Sequence, residues 1–133
     1  MAGYSATPLP KKLGLPPGSR VCAIGVEDYM ERVGADDLEL AMQAKPDKHT
    51  DLVHLFATRR QELDAWLPKL RRMLRPDAVL WVSWPKKASK VATDIVEGTI
   101  REVALPLGFV DVKVCAVDDT WSGLKLVVRK ELR

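Results

Sequence analysis

The chain has 133 residues, 47% of them hydrophobic and 29% charged, with a net charge of +3 from 21 basic and 18 acidic side chains. That length suits one domain able to bury roughly 65–70% of its unfolded surface, and the composition is that of a soluble globular protein. The near-balance of charge argues against nucleic acid as a partner, and no apolar run approaches the roughly 20 residues needed to span a bilayer.

The opening MAGYSATPLPKK sets its lysines behind turn residues with no apolar core after them, so it does not read as a signal peptide. A cytoplasmic protein without a membrane partner is the expectation. Cys22 and Cys115 fall far apart in predicted strands, with no metal or redox spacing. They read as small buried hydrophobes in a reducing compartment.

Thr7 can cap a short helix that has Pro8 at its first position and Gly14 at its end, with Leu9, Leu13 and Leu15 inward. Pro16-Pro17-Gly18 then turns the chain into Arg20–Val26, an almost wholly apolar run expected as a strand covered on both faces. Glu27–Val33 reads as a brief helix with Tyr29, Met30 and Val33 inward and Gly34 closing it. Leu38–Ala44 is compatible with a second strand, and Asp51–Ala57 with a third.

Thr58 and Gln61 have capping-box spacing before a helix whose apolar face is Leu63, Trp66, Leu67, Leu70 and Leu74. Pro68 predicts a kink there, not a break. Arg59, Arg60, Arg71, Arg72 and Arg75 take the outer face. Ala78–Trp84, AVLWVSW, is the strongest strand pattern in the chain. After a lysine-bearing loop, Asp94 and Glu97 again have capping-box spacing, ahead of a stripe of Ile95, Val96, Ile100, Val103, Ala104 and Leu107. Phe109–Val117 and Leu124–Lys130 alternate, and the short link between them predicts a closing antiparallel hairpin.

Strands alternating with helices predict a single three-layer, Rossmann-like α/β domain over residues 1–133, mostly parallel with a C-terminal antiparallel hairpin. Residues 1–18 form its N-terminal turn and short-helix segment, and 19–133 the sheet. The lead-in and first strand, LGLPPGSRVCAIG over Leu13–Gly25, and the order of the later elements resemble the class I S-adenosylmethionine-dependent methyltransferases. The resemblance implies a Rossmann-like sheet with its last strand reversed. It also implies a glycine-rich GxGxG loop after the first strand and an acidic residue for ribose hydroxyls at the end of the second.

Here Gly25 is followed by Val26-Glu27-Asp28-Tyr29, with no glycine until Gly34, and the second strand ends in Gln43-Ala44-Lys45 with Asp47 beyond a proline. The span to the third strand is too short for that family's extra strand and helix. Gly25 and Glu27 remain as candidate cofactor contacts. The expectation is no cofactor, with S-adenosylmethionine as the alternative. The segments AGYSATPLPKKLGL, DLVHLFATRR, WVSWPKKASKVATD and VDVKVCAVDDTWSGLKLV also resemble a small bacterial family of uncharacterised proteins, a domain of unknown function, which implies the fold and no activity.

In an open parallel sheet the carboxyl ends of the strands share one rim, where ligands bind. The most chemically marked residues predicted there are those of the WPKKASK loop. Lys86, Lys87 and Lys90 offer charge to an anion, Ser89 offers a hydroxyl, and a helix start behind them would add free N–H donors. Trp84 and Trp121 are candidates to flank a planar ligand, with core packing as the rival reading. Asp118 and Asp119 are candidates for binding, with a turn as the rival. His54 reads as a hydrogen-bonded core histidine, and no metal site is expected.

Three functions stay open. The first is a non-methylating Rossmann-like domain binding a small anionic or nucleotide-like ligand through the WPKKASK loop. The others are a divergent S-adenosylmethionine-dependent methyltransferase and an interaction module without a small ligand, meeting a protein partner or a second copy of itself. Whether the protein is an enzyme is left undecided.

Overall fold

The structure is a computed structural model and describes residues 8–133. Thr7, the expected first cap, lies outside them. The elements run α1 (Leu9–Leu13), β1 (Arg20–Ile24), α2 (Tyr29–Val33), β2 (Ala41–Met42), β3 (Leu52–Phe56), α3 (Arg60–Met73), β4 (Val79–Pro85), α4 (Glu97–Ala104), β5 (Phe109–Ala116) and β6 (Trp121–Val128), with short 3-10 turns between. They form a single α/β domain around a six-stranded sheet of order β2-β1-β3-β4-β6-β5. The pairs β1–β2, β1–β3 and β3–β4 are parallel. The terminal pair is antiparallel, with β6 inserted between β4 and β5.

Alternation along the central strands sends side chains to two hydrophobic clusters. Val53 and Leu55 of β3 and Leu80, Val82 and Trp84 of β4 join α3 and α4 in one. Leu52 and Phe56 of β3 and Trp81 of β4 join α1 and α2 in the other. All five residues of β3 are buried, as a strand covered on both faces requires. In α3, Leu63, Leu67 and Leu70 are wholly buried at i, i+4, i+7 spacing, each contributing about 1.5–3 kcal/mol of apolar burial. The helix continues through Pro68. On the other face, Trp81 donates its indole N–H to the Leu13 carbonyl at 2.9 Å and ties α1 to the sheet.

The second strand is much shorter than Leu38–Ala44. Asp36–Leu38 forms a 3-10 turn, Glu39 stands at φ 51°, and only Ala41 and Met42 pair with β1. Both helix caps also differ from expectation. For α3 the carboxylate is that of Glu62, which accepts from the N–H groups of Thr58 and Arg59, each at 3.0 Å. Asp94 does not cap α4; its carboxylate accepts from the Arg60 N–H at 2.7 Å and serves α3 instead. The last strand begins at Trp121 and not at Leu124. Among the described residues no helix is long and apolar enough to cross a membrane, and no group of three or more His, Cys, Asp or Glu side chains could hold a metal.

Candidate functional site

The parallel strands put the segments after β1, β2, β3 and β4 on one rim, and the reversed β6 brings the turn before Trp121 to the same rim. Backbone pairing joins them there: the Lys86 N–H donates to the Thr120 carbonyl at 2.7 Å. The rim has two halves of different character.

In the β4 half, the lysine loop is a self-contained turn. Ser89 donates its hydroxyl to the Lys86 carbonyl at 2.6 Å and accepts from the Val91 N–H. Lys90 stands at φ 61°, and α4 begins only at Glu97, so no helix start lies behind the lysines. The chain returns from this loop over β3, where Thr93 donates its hydroxyl to the Thr58 carbonyl at 2.7 Å. At the start of α3 the Arg60 N–H is taken by Asp94, and the Thr58 and Arg59 N–H groups just before the helix are taken by Glu62. Among the described residues Lys86, Lys87 and Lys90 form no ion pair.

Asp118 accepts from the N–H groups of Thr120 and Trp121, each at 2.8 Å, and pairs with Arg32 at 3.3 Å. It is a turn residue, and Asp119 stands beside it in the same turn. Trp84 lies opposite Ser122, and Pro85 opposite Trp121. The two tryptophans therefore point to opposite faces. Trp84 is buried among α3 and α4, whereas Trp121 packs edge-on against Phe56 with ring centroids 5.1 Å apart. They do not flank one ligand.

In the β1–β2 half, a cleft of about 440 Å³ opens at the carboxyl ends of these two strands. Its wall includes Ala23 of β1, Val26 and Asp28 of the following loop, Tyr29, Met30 and Glu31 of α2, Asp36, and Met42 and Gln43 at the end of β2. The lining thus combines apolar side chains with three carboxylates and an amide. Gln43 is oriented from behind: its carbonyl oxygen accepts from the Thr50 hydroxyl at 2.5 Å, and its amide donates to Asp47 at 3.4 Å.

The connection from β1 to α2 takes a tight path. Gly25 has φ 81°, and a Cβ there would sit 2.3 Å from the Phe56 carbonyl oxygen, so only glycine fits. Asp28 stands at φ 54°, a left-handed conformation that aspartate tolerates better than most side chains. The sequence therefore shows one glycine where the backbone makes two left-handed steps. Glu27 is in this connection but not in the cleft wall.

Tyr29 is almost fully buried although it contributes to the cleft. Its hydroxyl lies 2.8 Å from Nδ1 of His54, whose Nε2 lies 2.7 Å from the Ser83 hydroxyl. His54 and Ser83 are wholly buried. Burial pulls the imidazole down to about 3 and pushes the Tyr29 phenol above its ordinary range. His54 is thus a neutral, hydrogen-bonded residue stacked on Phe56 at 4.3 Å.

Asp28, Tyr29, Asp36 and Gln43 line this cleft, and the sequence reading does not single them out as candidates. The Asp36-Asp37 pair and an aspartate between a strand and a short helix were the available signals.

No family model matches the chain, and no curated protein matches it either. Solved structures do. It is similar to a ribosomal protein L11 methylase from Lactobacillus delbrueckii subsp. bulgaricus, with TM-score 0.60 and 13% identity over 90% of this chain and 74% of that one. A S-adenosylmethionine-dependent methyltransferase from Aquifex aeolicus gives TM-score 0.59 and 18% identity over 90% and 87% of the two chains. The magnesium protoporphyrin IX methyltransferase from Synechocystis with bound S-adenosylmethionine gives 0.58 and 17% over 91% and 74%. The fold is methyltransferase-like.

This likeness overturns the expectation of a non-methylating domain that binds an anion through the WPKKASK loop, and favours the methyltransferase alternative. For the cofactor, the likeness favours the alternative, S-adenosylmethionine, over none. The loop geometry gives the physical reason: its serine is consumed internally and no helix start backs the lysines.

Proposed function

We propose that the chain is a divergent S-adenosylmethionine-dependent methyltransferase domain, with a three-layer arrangement about its sheet, and that it holds the nucleoside in the β1–β2 cleft. The observation that carries this reading is the position of the cleft, at the carboxyl ends of adjacent parallel strands in a methyltransferase-like sheet. Ligands of open α/β sheets bind at such ends, and about 440 Å³ lies within the usual range for small-molecule sites.

The donor set fits the ligand. Asp28, Glu31 and Asp36 offer carboxylates to the ribose hydroxyls and to the positive charge of the sulfonium and ammonium groups, and the Gln43 amide offers both a donor and an acceptor. Val26, Met30 and Met42 offer apolar contact to the adenosine. The left-handed Asp28 supplies one of the backbone bends for which the resemblance leads one to expect glycine. When bound, the sulfonium supplies an electrophilic methyl group. The resemblance of the sequence to a small bacterial family of uncharacterised proteins, which no matching family model supports, adds no activity to this reading.

Titration calorimetry with S-adenosylmethionine and S-adenosylhomocysteine tests it. Binding of either that weakens about tenfold or more in Asp36→Ala/Gln43→Ala is expected, the loss of one to two hydrogen bonds. No heat with either at millimolar concentration removes the reading.

A further inference from the structure

The wall of the cleft is made partly from a segment that cannot hold its own shape. Between β1 and α2, Gly25 and Asp28 both stand at positive φ. Alpha2 has only five residues, far below the length at which an isolated helix persists. A non-glycine residue in the left-handed region persists only when its surroundings over-determine it.

The contacts that do so are few. Val33 is buried at the far end of α2. Arg32 pairs with Asp118 across the surface, with both side chains about a third exposed. Val26 and Met30 pack half-buried against the same cluster, and the buried polar attachment is Tyr29, the residue directly after Asp28, whose hydroxyl reaches His54 of β3 at 2.8 Å. His54 is in turn held by Ser83 of β4 at 2.7 Å. A chain of three buried polar side chains therefore runs from the cleft wall across two adjacent strands. His54 also stacks on the ring of Phe56, and the Phe56 carbonyl is the group against which Gly25 lies. One end of the β1–α2 connection is thus bonded to His54, and the other lies close against Phe56, two residues along the same strand.

We propose that His54, oriented by Ser83, is a positioning residue for the ligand of this cleft: it fixes Tyr29, and through Tyr29 the left-handed Asp28 and the loop that presents it. His54 does not reach the cleft itself. Its imidazole stays neutral at ordinary pH, with one N–H and one lone pair, so it satisfies both hydroxyl partners in either tautomer. It is a strut and not a proton carrier, because a buried imidazolium is strongly disfavoured. The ligand half of this inference rests on the proposed nucleoside site; the structural half does not.

The experiment compares wild type with Tyr29→Phe, His54→Gln and His54→Leu in amide hydrogen exchange and in calorimetry with S-adenosylhomocysteine. Tyr29→Phe keeps the ring and removes only the hydroxyl, so it serves even if the histidine variants fail to fold. Exchange over residues 25–33 is expected to rise about tenfold in Tyr29→Phe while α3 and β4 keep their protection, with affinity weakened by a similar factor, the size of one net hydrogen bond. His54→Gln, which keeps one amide donor and one acceptor, is expected to retain more of both than His54→Leu. Exchange that is unchanged over 25–33, or that rises equally across the sheet, overturns the strut. A Kd within about twofold of wild type in Tyr29→Phe, with local exchange raised, overturns the role in binding. Wild type without measurable S-adenosylhomocysteine binding removes the proposed function, and the exchange comparison still decides the strut.

Discussion

The carboxylate of Asp94 accepts the backbone N–H of Arg60 at 2.7 Å, so α3 is capped by a residue 34 positions further along the chain. Together with Thr93 on the Thr58 carbonyl, this contact closes the loop after β4 over the carboxyl end of β3. The cap is therefore also a tertiary contact, and its loss affects two segments at once.

Asp94→Ala is expected to destabilise the fold by about 1 kcal/mol, the usual cost of removing a capping side chain, and to lower the melting temperature by a few degrees. Thermal unfolding followed by circular dichroism measures it. Asp94→Asn, which keeps an acceptor oxygen, is expected to recover most of the loss. An alanine variant that melts with wild type would mean that the N–H of Arg60 finds water equally well.

The same residue shows how far the sequence could be read. Asp94 and Glu97 have the spacing of a local capping box, and spacing alone cannot reveal that Asp94 turns toward another helix. Elements fixed by periodic burial were legible: β1, β3, β4 and the Leu63, Leu67, Leu70 face of α3 stand where the pattern put them. Leu38–Ala44 was not, because its apolar residues are shared among a 3-10 turn, a left-handed Glu39 and a two-residue strand. The cleft was missed for a related reason. A glycine-based pattern searches for left-handed backbone by residue type, and here Asp28 supplies part of it. The lysine loop drew attention through charge, a property that is most conspicuous where side chains are solvated and unengaged.

Two glycines distinguish conformational need from mere tolerance. Gly25 combines φ 81° with a would-be Cβ 2.3 Å from the backbone oxygen of Phe56 at the carboxyl end of β3, whereas Gly98 lies in α4 with nothing within 4 Å. Gly25→Ala is expected to cost about 2–4 kcal/mol through combined strain and overlap. Gly98→Ala is expected to gain about 0.5–1 kcal/mol from helix propensity and reduced unfolded-state entropy. Urea unfolding of both variants checks the pair. A tolerated Gly25→Ala would show that the β1 end and Phe56 can separate, and the cleft wall with them.

Lys86 and Lys87 are outside the wall of the β1–β2 cleft and form no ion pair among the described residues. Lys86→Ala/Lys87→Ala is therefore expected to leave stability within about 0.5 kcal/mol of wild type, as surface substitutions do. The affinity for S-adenosylmethionine should stay within about twofold. Calorimetry beside Asp36→Ala/Gln43→Ala makes the comparison internal. A larger loss from the lysine pair than from Asp36 and Gln43 would move the nucleoside to the other half of the rim.

The buried histidine gives the fold a pH dependence whose sign follows from its environment. In the unfolded chain His54 takes up a proton near its ordinary 6.5, while in the folded protein burial holds it neutral down to about 3. Between those values the unfolded state binds more protons, so stability falls on acidification by up to about 1.4 kcal/mol per pH unit. Above about pH 7.5 both states are almost wholly unprotonated, and the contribution is flat. Asp47 and Asp51 are held below the ordinary carboxylate range, chiefly by the backbone N–H groups of His49 and Arg20 respectively. Their stabilisation is present above the ordinary carboxylate pKa and is lost as pH falls further, so it does not overlap the upper part of the histidine window. Urea unfolding at pH 7, 6 and 5 should therefore show wild type losing about 2 kcal/mol between pH 7 and 5, and His54→Gln losing much less. Parallel curves for the two proteins would mean that His54 titrates normally in the folded state, which is incompatible with an imidazole enclosed between Tyr29 and Ser83.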